Sequence, residues 1–407
     1  MKPSFIHSLR FVVAFLFVVA ACGAASAVFL RGLDAVTAMR LEHAVLYLFA
    51  PFVGLVTGIA YHRANRHHQG LVGRGNELIV TRLRGRSQHV PAVMAPLILI
   101  STWTSHLVGA SVGREGTAVQ MAGAIGSFVA KRMGLDQGKT WHLLLCAVAA
   151  GFGSVFGVPL AGAVFALEVA GLFRRERGRE FFSSETFLIP LSAFAASLLA
   201  HEVTLGLGVR HSVYPKFDFS VFSSPQAVAV ALAAAVGAGL LAWGFIFVLA
   251  KLRMVFFRFI RVDAVRPLIG GVFISLGFFF SSFGRYSGLG ADVINESYIK
   301  IQSFVDPLAK LLFTAFAIAS GFRGGEVTPL FYIGATFASA MSGLITSDPS
   351  SLAGLGMVAV FGAASGTPIA MAVMAGELFG WLAFFPAVIF CLIANSVCRS
   401  GRLYDEI

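Results

Sequence analysis

Gly157-Val158-Pro159-Leu160-Ala161 runs on to Glu168, and Gly366-Thr367-Pro368-Ile369-Ala370 runs on to Glu377. Nine residues take each proline to its glutamate. Upstream of the first stretch lies Gly113-Arg114-Glu115-Gly116-Thr117; upstream of the second lies Gly324-Gly325-Glu326-Val327-Thr328-Pro329. Glu115 precedes Glu168 by 53 residues and Glu326 precedes Glu377 by 51. Earlier still, Gly73-Arg74-Gly75 and Gly288-Leu289-Gly290 hold matching places. Three features thus recur in the same order, about 210 residues apart. Paired, Gly-interrupted segments in two halves of a chain point to a transporter whose site lies where the repeats meet.

Composition sets the solvent. The 407 residues are 57% hydrophobic and 13% charged, against about 25% charged in average globular chains. Mean hydropathy is +0.81. So much apolar side chain cannot close into one core, which stops growing near ~250–300 residues and needs a polar shell. A soluble enzyme, a disordered chain and a disulfide scaffold are excluded. The expected fold is all-α and polytopic, with many tilted, half-spanning helices meeting at a central site. The net charge of +11 is not read as a nucleic-acid surface, because the basic residues sit in short loops between apolar runs.

Long apolar segments are predicted near 9–30, 44–61, 90–112, 184–200, 226–250, 267–283 and 307–320. Shorter ones fall near 117–130, 141–156, 158–172, 328–345, 351–364 and 367–393. Helices under ~17 residues do not cross a bilayer alone, and broken ones persist only where protein or water satisfies the loose backbone. Three loops are basic: Arg63, Arg66, Arg74, Arg82, Arg84 and Arg86; Arg174, Arg175, Arg177 and Arg179; and Lys251, Arg253, Arg258, Arg261 and Arg266. These and the N-terminus are expected inside, with 31–43 and 201–225 outside. One transmembrane domain is expected over 1–407, with approximate repeats 44–200 and 226–393 and no cytoplasmic regulatory domain. Ala25-Ser26-Ala27 resembles a signal-peptidase site, but the apolar run from Phe11 to Leu30 is long enough to be a retained first span. Cys22, Cys146, Cys391 and Cys398 show no CxxC pairing, so reduced structural thiols and no metal site are expected.

Glycine breaks before short helices expose backbone N–H groups to the positive end of the helix dipole, a setting for anions. Such breaks are read at 73–76, 113–117, 324–328 and 401–404. Glu115 lies in one of them, between two apolar segments, where a carboxylate is expensive and usually functional. Ionised, it competes with an anion for the same donors; protonated, it withdraws and carries a proton. Glu326 lies in another, with Thr328 supplying a hydroxyl; the alternative for Glu326 is a cap on the helix beginning at Pro329. Glu168 and Glu377 are read as holding helices together, and His106 and Tyr332 as core or interface residues. No HExxH or GxSxG motif supports an intramembrane enzyme, and no cofactor is expected.

At these residues the chain resembles the CLC family of chloride channels and proton-coupled anion antiporters. Gly113-Arg114-Glu115-Gly116 matches the family's GREGP signature, with Thr117 in place of Pro. Gly153 to Glu168 resembles the helix pair around Pro-Leu-Ala-Gly. Gly324-Gly325-Glu326-Val327-Thr328-Pro329 falls where most members have Gly-Gly-Ile-Phe-Ala-Pro and is similar to the fluoride-exporting branch. The family's first loop, Gly-Ser-Gly-Ile-Pro, carries a chloride-coordinating Ser; here it reads Gly73-Arg74-Gly75-Asn76-Glu77. The antiporter's internal proton-transfer Glu would follow Glu168, where this chain has Val169; the fluoride branch lacks that acid as well.

The resemblance implies a homodimer whose subunits each hold two inverted repeats and an anion pathway. It implies a multi-pass protein of the inner (plasma) membrane, with the lipid bilayer as its medium. It further implies a fluoride/proton antiporter with Glu115 as the gating and proton-carrying residue and Glu326 on the pathway. Asn76 is the chosen anion-facing residue of the first loop, with Arg74 the other candidate. Thr328 and Tyr404 supply hydroxyls, and the helix-end groups of Gly113, Arg114, Gly116, Gly325 and Val327 complete the anion-binding set. Fluoride is small and strongly hydrated, so it needs concentrated donors of this kind. It enters cells as neutral HF and is trapped as the ion; exchange against an incoming proton would expel it. The alternative is a chloride/proton antiporter or chloride channel of the same family.

Overall fold

A computed structural model describes residues 3–85, 89–173, 188–277, 279, 283–345, 348–399 and 401–404. Arg86, Arg174, Arg175, Arg177 and Arg179 of the basic loops lie outside the described residues. The described residues are helical and carry no strand. In chain order the helices are α1 (Pro3–Glu42), α2 (Ala50–His67), α3 (Asn76–Leu83), α4 (Met94–Leu107), α5 (Glu115–Arg132), α6 (Gln137–Phe156), α7 (Pro159–Val169), α8 (Leu188–Gly206) and α9 (Pro225–Phe259). They continue with α10 (Arg266–Gly277), α11 (Phe283–Tyr286), α12 (Ala291–Glu296), α13 (Val305–Ser320), α14 (Val327–Ser342), α15 (Ser350–Ser365), α16 (Pro368–Phe379) and α17 (Phe384–Val397). The two halves correspond in order and length: α5, α6 and α7 match α14, α15 and α16, and the short α3 matches α12.

Hydropathy misplaced several boundaries, for local reasons. The run 31–43, expected as an outer loop, is helical to Glu42 as the last part of α1. Arg31 and Asp34 fall on its exposed side while Leu33 is fully buried, so the charges do not break the helix. Ala25-Ser26-Ala27 lies in mid-helix, and the buried Ser26 hydroxyl bonds Ser154 of α6 at 2.7 Å. The segment near 141–156 is no half-helix. α6 has 20 residues, because Asp136 caps it by accepting from Lys139 N–H at 2.9 Å and the polar first turn is helical. Conversely 90–112 and 267–283 shorten to α4 and α10, while 307–320 becomes α13, which begins two residues earlier. Gly109 (φ +78°) and Gly321 (φ +103°) leave the right-handed region just past α4 and α13, as helix stops do. The run 367–393 divides at Gly380 (φ +91°) into α16 and α17.

The core sits between the halves. α15 and the part of α6 from Leu143 onward are buried almost throughout, α7 and α16 for most of their length, and His106 and Tyr332 are fully buried. The four cysteines are buried and unpaired. Outside this core α1, α8, α9 and α17 present large apolar side chains outward, Phe259 at 74% and Phe385 at 73% exposure among them. Among the described residues, five helical stretches are long and apolar enough to cross a membrane. The protein is a polytopic membrane protein.

The repeated glutamates exchange partners across the core. Glu377, at the end of α16, accepts from Leu160 N–H (2.9 Å) and Ala161 N–H (2.8 Å), which open α7. Glu168, near the end of α7, accepts from Ile369 N–H (3.2 Å) and Ala370 N–H (2.8 Å), which open α16. Each half therefore satisfies the orphan donors of the other's broken helix, groups that lipid cannot satisfy.

Candidate functional site

Two of the glycine breaks touch. Gly113 and Gly325 form an isolated antiparallel bridge: Gly325 N–H donates to Gly113 O at 2.7 Å, and Gly113 N–H donates to Gly325 O. A Cβ on Gly325 would stand 2.6 Å from Gly116 N, and one on Gly116 would stand 2.9 Å from Gly325 Cα. Backbones approach this closely only where side chains are absent. The bridge brings the N-termini of α5 and α14 together, with Glu115 opening α5 and Glu326 in the N-cap position of α14.

Glu115 is fully buried. Its Oε2 accepts from Thr328 Oγ1 at 2.5 Å and from Thr328 N–H at 3.2 Å; its Oε1 accepts from Arg114 Nε at 3.0 Å. Arg114 N–H adds a fourth bond at 3.3 Å. The carboxylate thus lies over the start of α14, occupying donors that an anion would use. The ion pair with Arg114 coexists with that geometry.

Glu326 makes no side-chain cap on α14. Its Oε1 accepts from Tyr404 Oη at 2.7 Å and from Asn76 Nδ2 at 3.3 Å. The helix-cap alternative is not what the structure contains. Tyr404 is 5% exposed and held from behind. Its carbonyl accepts from Arg84 at 3.4 Å, Arg84 also donates to Val169 O at 3.2 Å, and Leu403 N–H bonds Ala364 O at 3.0 Å. The chain at 401–404 is not followed by a helix among the described residues; it delivers the tyrosine.

Asn76 and Arg74 separate in the structure. Arg74 folds onto Glu77, Nη2 to Oε1 at 2.5 Å, whereas Asn76 faces Glu326 across the repeats. Gly75, at φ +57° and ψ −127°, makes the turn into α3 possible.

Two cavities flank the bridge. The larger, of about 350 Å³, reaches Gly73–Asn76, Gln120, Arg323, Glu326 and Tyr404. The smaller, of about 40 Å³, reaches Arg114, Glu115, Ser212, Tyr214 and Thr328. Glu115 and Glu326 therefore open to different cavities. Val327 is buried and lines neither; Gly113, Gly116 and Gly325 contribute backbone at the bridge. Gln120, Ser212, Tyr214 and Arg323 were missed. Gln120, a turn beyond Gly116 on the buried face of α5, was legible as a polar residue among small apolar ones. Ser212 and Tyr214 lie in an irregular segment and gave no signal.

The fold and the site define a membrane transport protein whose polar path is built from broken helices of two halves. The chain belongs to the voltage-gated chloride channel family, whose model matches residues 54–399; it is a family of anion channels and transporters, not of enzymes. A chloride/fluoride channel protein of Pseudomonas syringae pv. tomato is 37% identical over 388 residues, 94% of this chain and 82% of the relative. The H(+)/Cl(-) exchange transporter ClcA of Vibrio cholerae is 29% identical over 281 residues, 64% of this chain and 57% of the relative. The crystal structure of a CLC-type fluoride/proton antiporter superposes with TM-score 0.86 at 27% identity, covering 99% of this chain and 98% of that one.

Proposed function

We propose that the protein exports fluoride from the cytoplasm in exchange for protons, as a homodimer of single transmembrane domains built from repeats 44–200 and 226–393. The observation that carries this reading is the pair of glutamates at the touching helix ends. Glu326 holds the Asn76 amide and the Tyr404 hydroxyl toward the larger cavity. Glu115 holds the Thr328 hydroxyl and N–H beside the smaller one. Fluoride arriving from the larger cavity competes for Asn76, Tyr404 and Thr328. When a proton neutralises Glu115, its claim on Thr328 weakens and the helix N-termini are free for the anion. The departing anion and the entering proton thus use the same carboxylate in turn. Both the Pseudomonas relative and the superposed antiporter carry fluoride in their names, which supports the ion assignment. A chloride reading is supported by the Vibrio relative; the missing loop Ser and the buried, apolar Val169 weigh against it.

The test is ion flux from proteoliposomes of the purified protein, with a fluoride electrode, external pH and chloride followed together. Fluoride efflux with proton uptake and little chloride flux is expected. Chloride flux equal to or above fluoride would overturn the assignment.

A further inference from the structure

The larger cavity has more cation on its walls than the exchange step uses. Four arginines line it: Arg74, Arg253, Arg266 and Arg323. Two are neutralised locally, Arg74 by Glu77 at 2.5 Å and Arg266 by Asp263 at 2.9 Å. Among the described residues, Arg253 and Arg323 have no carboxylate within salt-bridge distance. The remaining acid of the cavity wall is Glu326, which already receives Asn76 and Tyr404.

Arg323 is held in place without being neutralised. Its guanidinium stacks on the Tyr61 ring at 3.8 Å, and Nη1 donates to Gly73 O at 3.3 Å. Its Nε is buried and has no hydrogen-bond partner. An immobilised guanidinium with an unused donor is a costly group, unless it serves a negative ligand. Arg253, near the end of α9, lines the same cavity as Arg323 and Glu326. Two cations without a carboxylate at salt-bridge distance thus share the cavity wall with Glu326.

We propose that Arg253 and Arg323 form an anion-recruiting site in the larger cavity, taking a small monovalent anion before it reaches Asn76 and Glu326. The site deepens the fluoride reading and rests on it for the identity of the ion. Arg323 contributes a fixed, preorganised charge and an N–H donor; Arg253 adds a charge that raises the local anion concentration. Glu326, facing the pair, keeps the site weak enough for the ion to move on.

Initial fluoride efflux is measured over a range of internal fluoride for wild type, Arg253→Gln, Arg323→Gln, the double variant and both Arg→Lys variants, with Arg66→Gln as an exposed basic control. Each Gln variant is expected to raise the apparent KM about three- to tenfold, with a much smaller change in kcat, as for removing one charge in a water-filled cleft. Lysine should restore most of the loss, and potassium gluconate should raise the wild-type KM more than that of the double variant. An unchanged KM in monodisperse Gln variants would overturn the proposal, as would a shift that lysine does not restore, which marks a packing role. If Arg323→Gln does not fold, Arg253→Gln decides alone. If the wild type moves chloride instead of fluoride, the fluoride reading fails visibly in that control. The same KM series in chloride then decides the recruiting site separately.

Discussion

Glu115 and Tyr404 carry the sharpest consequences at the scale of single residues. Glu115 accepts four hydrogen bonds from two residues, Arg114 and Thr328. Glu115→Gln removes the titrating group but keeps the shape. Proton uptake should fall at least ~10-fold relative to anion flux, measured as the ratio of pH change to fluoride released. Tyr404→Phe deletes the hydroxyl on Glu326. A bond to a charged group is worth about 1.5–3 kcal/mol. The variant should therefore weaken fluoride affinity about 10-fold or more, read by KM or calorimetric binding, with its melting temperature little changed. Sequence reasoning named both residues as candidates, and it preferred Asn76 with Arg74 as the other candidate of the loop. What it lacked was the partner of each: nothing in the order of residues says that Arg74 is spent on Glu77.

At the scale of elements, broken helices depend on one another. Glu377→Ala would leave the N–H groups of Leu160 and Ala161 without their acceptor at the start of α7. Loss of such a cap costs about 0.5–2 kcal/mol in water, and more where no water replaces it. A clear fall in melting temperature in detergent is expected for Glu377→Ala and for Glu168→Ala, with fluoride KM little altered in protein that remains folded. Gly325→Ala is expected to be worse. Its methyl would strike Gly116 N at 2.6 Å, backbone that cannot rotate away, and overpacking of this kind costs about 1–3 kcal/mol. Thermal melting together with flux would show loss of both. The equal Pro-to-Glu spacings announced that these segments correspond. They did not announce that each glutamate serves the other half.

At the scale of the whole molecule, the basic loops predict the orientation. If the positive-inside reading holds, Arg66→Cys should react with an impermeant thiol reagent only from the cytoplasmic side. Val213→Cys, at a position 93% exposed in the segment between α8 and α9, should react only from outside. Labelling of both from one side would reject the topology. The four native cysteines are buried and give a low background. Homodimerisation predicts twice the 43.2 kDa chain mass by light scattering after correction for detergent.

The sequence by itself determined the solvent, the helical class, the correspondence of the halves and the glutamates at their breaks. Composition, periodic glycines and the expense of a charge in lipid are local properties, legible one segment at a time. Boundaries were legible less well, because hydropathy discards polar first turns such as 137–140 and overlooks the end of a helix like α1, where Arg31 and Asp34 are exposed and Arg40 is buried on Tyr47 and Ser287. Tertiary structure alone decided which arginines stay unpaired, which cavity each glutamate faces, and that Tyr404 reaches Glu326 from the far end of the chain. Those outcomes rest on contacts between residues as many as 320 positions apart, such as Arg84 and Tyr404, and only the packing of the two halves brings such residues within hydrogen-bond reach.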